Sequence, residues 1–259
     1  RHPWLQRMDD FGQIDRHLSP EKRQQAVAAY FGLCTFVDYQ IGRVLDALSE
    51  SGLEADTRII YTSDHGDNVG ARGMWGKSNM YEESAGIPLI VAGNGVPAGK
   101  TSSTTTSLLD SYQTIFDGIG LDLNDEESDL DGKSWFELAN SNDNPERIVF
   151  SEYHAAQSPT GAFMLRKGKY KLNYYVDYEP ELFDLEANPE ETTNLADDEN
   201  YAPIVAEYEG YLRDICDPEK VDREAKDDQN ALIEKFGGRE KALHTGTPGA
   251  TPVPGQGQE

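Results

Sequence analysis

The sequence predicts an α/β fold with a small antiparallel sheet appended at its C-terminal end. Three observations predict it. A long amphipathic segment covers 20–51. Two short apolar runs follow at 58–62 and 87–92, the first leading straight into a polar cluster. Short strand-like segments then recur between 147 and 175. Helix, strand, loop, strand and helix alternate over roughly the first 120 residues, the pattern of an α/β domain with a largely parallel sheet.

Ser19-Pro20-Glu21 reads as an N-cap, a proline at the first helical position and an acid in the first turn. Val27, Phe31, Cys34, Val37, Ile41, Val44, Leu45 and Leu48 recur at three- and four-residue spacing, and Gly52 closes the helix. Cys34 lies in that stripe and is expected to pack as a small hydrophobe. Arg58-Ile59-Ile60-Tyr61-Thr62 is a short strand ending at Ser63-Asp64-His65-Gly66-Asp67. A second strand covers 87–92 and a Gly/Pro turn 93–99. A helix over 107–119 carries Leu108, Leu109, Tyr112, Ile115, Phe116 and Ile119 on one face. An acidic loop at 124–131 and a linker at 140–145 precede strands at 147–152, 162–166 and 170–175, with Lys167-Gly168 as a hairpin turn. A helix at 201–215 packs on that sheet through Ile204, Val205, Tyr208, Tyr211 and Leu212. A polar helix covers 222–236, and the Gly/Pro-rich end of the chain reads as an extended tail. Three regions are therefore expected: 1–143, 144–216 and 217–259.

Charge narrows the function classes. The 259 residues hold 23 Lys+Arg against 47 Asp+Glu, a formal net charge of −24. Such a field repels phosphate backbones and anionic lipid, which argues against a nucleic-acid binder. It also fits a surface adapted to salt. Aromatic content of 10% argues against disorder for most of the chain. The longest apolar run, 87–92, falls far short of the ~20 residues a bilayer span needs, so no membrane partner is expected. Arg1-His2-Pro3-Trp4 has no apolar stretch after it and no initiating methionine, so no signal peptide is visible and a processed or truncated N-terminus is expected. The compartment, cytoplasmic or periplasmic, is left open. Cys34 and Cys216 make no disulfide framework.

Chemistry concentrates after the first strand. Asp64 and His65 set a carboxylate beside an imidazole at the C-terminal end of a strand, where open α/β sheets carry their sites. Carboxylate oxygen is a hard ligand and imidazole a borderline one, so Ca²⁺, Mg²⁺ or Mn²⁺ suits the pair; the plainer reading is a polar turn with a helix cap. Gly70-Ala71-Arg72-Gly73-Met74-Trp75-Gly76-Lys77 is a glycine-rich loop ending in a cation that can approach an oxyanion. Gly76-Lys77-Ser78 lacks the spacing of a nucleotide-binding loop, and Lys77 is otherwise a surface lysine. His154 ends a strand of the small sheet, and Trp75 and Tyr153 are pocket aromatics or core residues alike.

These residues carry a resemblance. Ile60-Tyr61-Thr62-Ser63-Asp64-His65-Gly66-Asp67, then Arg72-Gly73-x-Trp75-x-Lys77, Tyr81-Glu82 and Ile87-Pro88-Leu89-Ile90-Val91, resemble the C-terminal half of a sulfatase, in the alkaline phosphatase superfamily. Glu181-Leu182-Phe183-Asp184-Leu185 with Pro189-Glu190-Glu191 and Asn194-Leu195 resembles the sulfatases' C-terminal stretch. The match covers about 19–196 and is similar to choline-sulfatase-like and phosphonate-monoester-hydrolase-like members. The resemblance implies an alkaline-phosphatase-like α/β sandwich, here the C-terminal part of its large mixed sheet, plus the small antiparallel sheet with a packed helix. It implies a divalent cation, calcium above manganese or magnesium, held by Asp64 and His65. It implies catalytic roles for Lys77 and His65 and substrate contacts by Lys77, His154 and Trp75. The substrate it implies is a small-molecule sulfate ester.

The family's nucleophile, a Cys/Ser-x-Pro-x-Arg residue converted to formylglycine, is not in these 259 residues; Cys216-Asp217-Pro218-Glu219-Lys220 is a chance near-match with lysine in place of arginine. The expectation is the second half of a larger enzyme, inactive until an N-terminal sulfatase half or second chain supplies the nucleophile. The Pro-rich tail suggests a homo-oligomer. A phosphonate monoester or phosphodiester hydrolase of the same superfamily is the nearest alternative, and a non-catalytic binding or assembly module the alternative from another class.

Overall fold

The computed structural model describes residues 2–12, 18–121, 123, 130–155 and 158–241. The tail after 241, most of the 124–131 acidic loop and residues 156 and 157 lie outside them.

Helix α1 (Pro3–Gly12) comes first, unannounced by the sequence pattern. Trp4 and Leu5 are fully buried, and the Trp4 indole donates to the Thr160 carbonyl at 3.1 Å. Helix α2 (Pro20–Ser51) has the expected ends: Ser19 Oγ accepts from Lys22 N, and Gly52 closes the helix in the left-handed region. Its environment differs from expectation. None of its 32 residues is buried, and Cys34 is exposed. The apolar stripe is real, but Phe31, Cys34, Val37, Val44 and Leu45 of it stay exposed.

Strand β1 (Arg58–Thr62) and strand β2 (Leu89–Gly93) pair with each other, Arg58 opposite Gly93 and Thr62 opposite Leu89. The pairing is antiparallel, which corrects the parallel reading. The short helix α3 (Glu82–Ala85) sits in their connection. That connection therefore reverses direction instead of crossing over the sheet. Helix α4 (Asp110–Ile119) starts three residues later than expected, because Asp110 accepts from Ser107 N and starts the first turn itself. Helix α5 (Trp135–Asn140) buries Trp135, Phe136 and Leu138.

The small sheet has four strands in sequential antiparallel order: β3 (Ile148–Tyr153), β4 (Ala162–Lys167), β5 (Tyr170–Tyr175) and β6 (Glu181–Asp184). Lys167 pairs with Tyr170, so Gly168 and Lys169 form the turn. Strand periodicity gives this sheet two different faces. Phe163, Leu165, Leu172 and Leu182 pack with Tyr208 and Leu212 of helix α6 (Ala202–Ile215). The other face presents Ala162, Met164, Tyr175 and Phe183 to Trp4, Leu5, Met80 and Tyr81. Helix α7 (Pro218–Lys235) begins at Asp217, whose side chain accepts from Lys220 N, so Cys216 ends one helix and Pro218 starts the next as read.

A buried ionic network joins this second face to the α3 segment. Lys171, fully buried, lies 2.8 Å from Glu82 and 2.9 Å from Glu191. Glu191 also accepts from Glu82 N at 2.6 Å. Arg72 lies over the Tyr81 ring and donates to Glu83 and to the Glu190 carbonyl. The two separated stretches that carry the resemblance are thus one packed unit in space.

Candidate functional site

The cluster after β1 is held by its own backbone. Gly66 N donates to the Ser84 carbonyl at 2.8 Å. A Cβ on Gly66 would lie 2.1 Å from the Glu83 carbonyl oxygen, so only glycine lets the two segments approach this closely. Asp64 Oδ1 accepts from His65 N at 3.0 Å, which fixes the carboxylate beside its neighbour's ring.

His65 Nδ1 lies 2.7 Å from the Gly66 carbonyl oxygen. A carbonyl can only accept, so the proton sits on Nδ1 and Nε2 keeps its lone pair. That lone pair faces Lys77 Nζ at 2.6 Å and lies 3.4 Å from Asp64 Oδ2. Asp64, His65 and Lys77 therefore converge, as their spacing in the sequence suggested. The Asp64 side chain is 82% exposed and so free to take a further ligand.

The three residues line a cleft of about 340 Å³. Its walls include Asn79, Met80 and Ser84 from the α3 side, Ser107 and Leu108 before α4, and Glu152 and Tyr153 along β3, the edge strand of the small sheet. Ser107 and Glu152 carry no sequence signal of their own; Glu152 enters the site because β3 borders it, and Ser107 because the segment before α4 does.

Two sequence candidates lie elsewhere. His154 does not line this cleft: its ring packs edge-on against Phe163 at 5.2 Å, and Nε2 lies 3.4 Å from Glu152. Trp75 is also absent from the lining; its ring lies over Gly70, 3.2 Å from where a Cβ would be. A larger cavity of about 780 Å³ shares Ala85, Ile87 and Ser107 with the cleft. Its cations are engaged: Arg166 with Glu82, Lys167 with Glu146, and Lys169 with Asp184.

Comparison with known proteins is decisive at this point. The profile of the family described as "Sulfatase" matches residues 4–121, and that of "N-sulphoglucosamine sulphohydrolase, C-terminal" matches 70–217, more than half of the chain. The chain belongs to the sulfatase family. It is 37% identical over 180 residues to a choline-sulfatase of Rhizobium meliloti, covering 70% of this chain and 35% of that one. It is 33% identical over 207 residues to arylsulfatase K of Rattus norvegicus, covering 75% and 36%. Among solved structures, a phosphonate monoester hydrolase from Silicibacter pomeroyi matches with a TM-score of 0.69 at 27% identity, over 82% of this chain and 46% of that one. A 2-O GAG sulfatase matches with a TM-score of 0.68 at 28% identity, over 83% and 46%. The sulfatase chain spans about a third of the length of these curated relatives. Its fold is that of the alkaline-phosphatase-like α/β enzymes.

Membership of the sulfatases implies a divalent cation and a formylglycine in general. Among the described residues no group of three or more His, Cys, Asp or Glu could hold a metal ion. The open Asp64 carboxylate fits such an ion as one ligand of a shell completed from elsewhere; the His65 Nε2 lone pair, which here accepts from Lys77, would join that shell only in exchange for this hydrogen bond. Among the described residues no helix is long and apolar enough to cross a membrane.

Proposed function

We propose that this chain is the cation- and ester-binding part of a sulfuric ester hydrolase. The observation that carries the reading is the convergence of Lys77 Nζ, His65 Nε2 and Asp64 along one cleft. Lys77 places a fixed ammonium where an ester oxygen can rest, and so offsets negative charge that develops there in the transition state. The donor's reach is set by His65, whose Nε2 accepts from Lys77 and can hold a proton passed along that hydrogen bond. Asp64 would hold the divalent ion, with His65 joining it when Nε2 exchanges the Lys77 hydrogen bond for the ion. Calcium suits the carboxylate, and the imidazole nitrogen shifts preference toward manganese. An ion bound there polarises the oxygens of the ester. The nucleophile, of formylglycine type, would come from outside these residues, since no Cys/Ser-x-Pro-x-Arg occurs in them. The walls built from Met80, Leu108 and Tyr153 would receive the alcohol portion of a small-molecule sulfate ester.

The nucleophile-bearing half has a place to dock. On α2, Phe31, Leu33, Phe36, Val37, Tyr39 and Val44 are exposed, as are Ile60, Tyr61 and Ile90 on the β1–β2 pair. Apolar exposure on this scale marks an interaction surface. The phosphonate monoester reading is kept as second choice because a phosphonate monoester hydrolase shares the fold at a TM-score of 0.69.

The test combines the chain with a polypeptide carrying the nucleophile segment and follows 4-nitrophenyl sulfate and a phosphonate monoester in parallel. Hydrolysis is expected only for the combination, abolished by EDTA and by Lys77→Ala or Asp64→Ala. Turnover by the chain alone, or a combination indifferent to both substitutions, would overturn the reading. A higher rate on the phosphonate would select the second reading.

A further inference from the structure

The end of the loop between His65 and Lys77 is tied back to its start through Gly76. Asp67 Oδ1 accepts from Gly76 N at 3.2 Å and from Val69 N at 2.8 Å. The Gly76 carbonyl accepts from Asn68 N and from Asn68 Nδ2, both at 2.7 Å. Asn68 is 2% exposed. Its Oδ1 accepts from Asn79 Nδ2 at 3.2 Å, and Asn79 Oδ1 in turn accepts from Tyr81 N at 3.0 Å. Both peptide groups flanking the Gly76 Cα are therefore gripped by the two residues that follow Gly66.

The loop so closed is conformationally strained. Val69, Arg72 and Ser78 all have positive φ, at 47°, 52° and 89°. Side chains disfavour this region, and such residues persist only when surrounding contacts hold them. Asp67 and Asn68 are those contacts on the side of Lys77.

We infer that Asp67 and Asn68 are positioning residues: by gripping Gly76 they set Lys77 Nζ against His65 Nε2 and so fix the ammonium in the cleft. The geometric claim stands on the hydrogen bonds alone; its catalytic meaning rests on the function proposed above. Asn68 acts as a two-point donor to one carbonyl, and Asp67 as an acceptor bridging the start and the end of the loop. The network continues through Asn79, which lines the cleft, to Tyr81. A hydrogen-bonded set of this kind holds its geometry only when every member is satisfied.

The experiment uses the whole chain with Asp67→Ala, Asn68→Ala and the conservative Asp67→Asn, which keeps an acceptor oxygen. Hydrogen–deuterium exchange of the 74–78 peptide and the rate of Lys77 modification by trinitrobenzenesulfonate are read by mass spectrometry. Exchange is expected to rise about tenfold or more in the two alanine variants, Lys77 labelling to change with it, and Asp67→Asn to stay close to wild type. In the assembled hydrolase the alanine variants are expected to lose about tenfold in kcat with KM little changed, and Asp67→Asn to recover most of it. Unchanged exchange and labelling in folded Asn68→Ala or Asp67→Ala protein overturns the inference. So does an Asp67→Asn variant that behaves like alanine. Should one alanine variant fail to fold, the other reads the same amide. Altered exchange in a chain that never shows sulfatase activity leaves the latch standing and removes the functional reading.

Discussion

Tyr81 and Glu181, a hundred residues apart in the chain, share a hydrogen bond of 2.7 Å inside the protein. Glu181 takes a second one from Tyr175 at 2.8 Å. Burial, and then the Glu181 charge, push the Tyr81 hydroxyl well above the usual phenol range, so it stays a donor. The contact ties the segment after Asn79 and Met80, which line the cleft, to the small C-terminal sheet. That linkage makes the stability of the sheet and the shape of the site one measurable property.

Replacing Lys171 by methionine tests the buried network. Burial raises the Glu82 carboxyl, but Lys171 and then Arg166 outweigh it, and its pKa lies below the ordinary value. Burial dominates at Glu191, whose pKa lies above it. The signs are therefore opposite. The contribution of Glu82 is present above the ordinary carboxylate pKa of about 4.3 and lost as pH falls through its lowered folded value. That of Glu191 is present below the ordinary value and lost as pH rises through its raised one. Without the Lys171 charge, both carboxylates are pushed up. The variant is expected to lose about 3–5 kcal/mol near pH 7 and much less near pH 4. Urea midpoints across that range check it; a loss independent of pH would contradict it.

Gly66→Ala places a methyl group against the Glu83 carbonyl. Because the obstacle is backbone, relief requires the β1 end and α3 to separate. The expected cost is about 1–3 kcal/mol or more, together with faster amide exchange at Gly66. A variant as stable as wild type would show that the approach of the two segments is not obligatory.

Trp4→Ala removes a fully buried indole from the cluster formed with Tyr175 and Phe183. A loss of about 3–5 kcal/mol is expected. Chemical denaturation followed by far-ultraviolet circular dichroism measures it, a signal that does not depend on the tryptophan removed. A cost under about 1 kcal/mol would mean that α1 is not part of this core.

The net charge of −24 predicts a salt response. Screening shortens the range of like-charge repulsion from about 30 Å at 0.01 M salt to about 3 Å at 1 M. The melting temperature is expected to climb over that range, with most of the gain before the upper end. A flat profile would mean that attractive pairs, such as Arg213 with Glu219, already balance the field.

Much of this architecture could be read from residue order, for physical reasons that differ by element. The β4–β5 hairpin follows from alternating side chains and from Gly168, whose φ is +55° in the turn. The ends of α2 follow from Ser19 and Gly52. What covers α2 does not, because periodicity identifies a face and not its neighbour. The antiparallel β1–β2 pairing was missed because apolar runs carry no direction; direction is set by the α3 reversal between them. Trp4, Leu5, Met8 and Phe11 do stand at helical spacing, but α1 is only ten residues long and α5 only six, too short for the pattern to stand out. At the site, Asp64, His65 and Lys77 were found from chemistry and order. Asp67 and Asn68 were not, since side chains that bond to backbone leave no pattern in sequence. Trp75 and His154 were judged by residue type, and packing placed them outside the cleft.

The indole of Trp4 and the carbonyl of Thr160 meet across 156 residues of chain. Loop-closure entropy rises only logarithmically with separation, so a contact this long-range costs little more than a shorter one and couples the two ends of the segment it closes. Docking of α1 therefore depends on the small sheet that receives Trp4 and Leu5. A nascent chain would complete this domain only after Thr160 has left the ribosome.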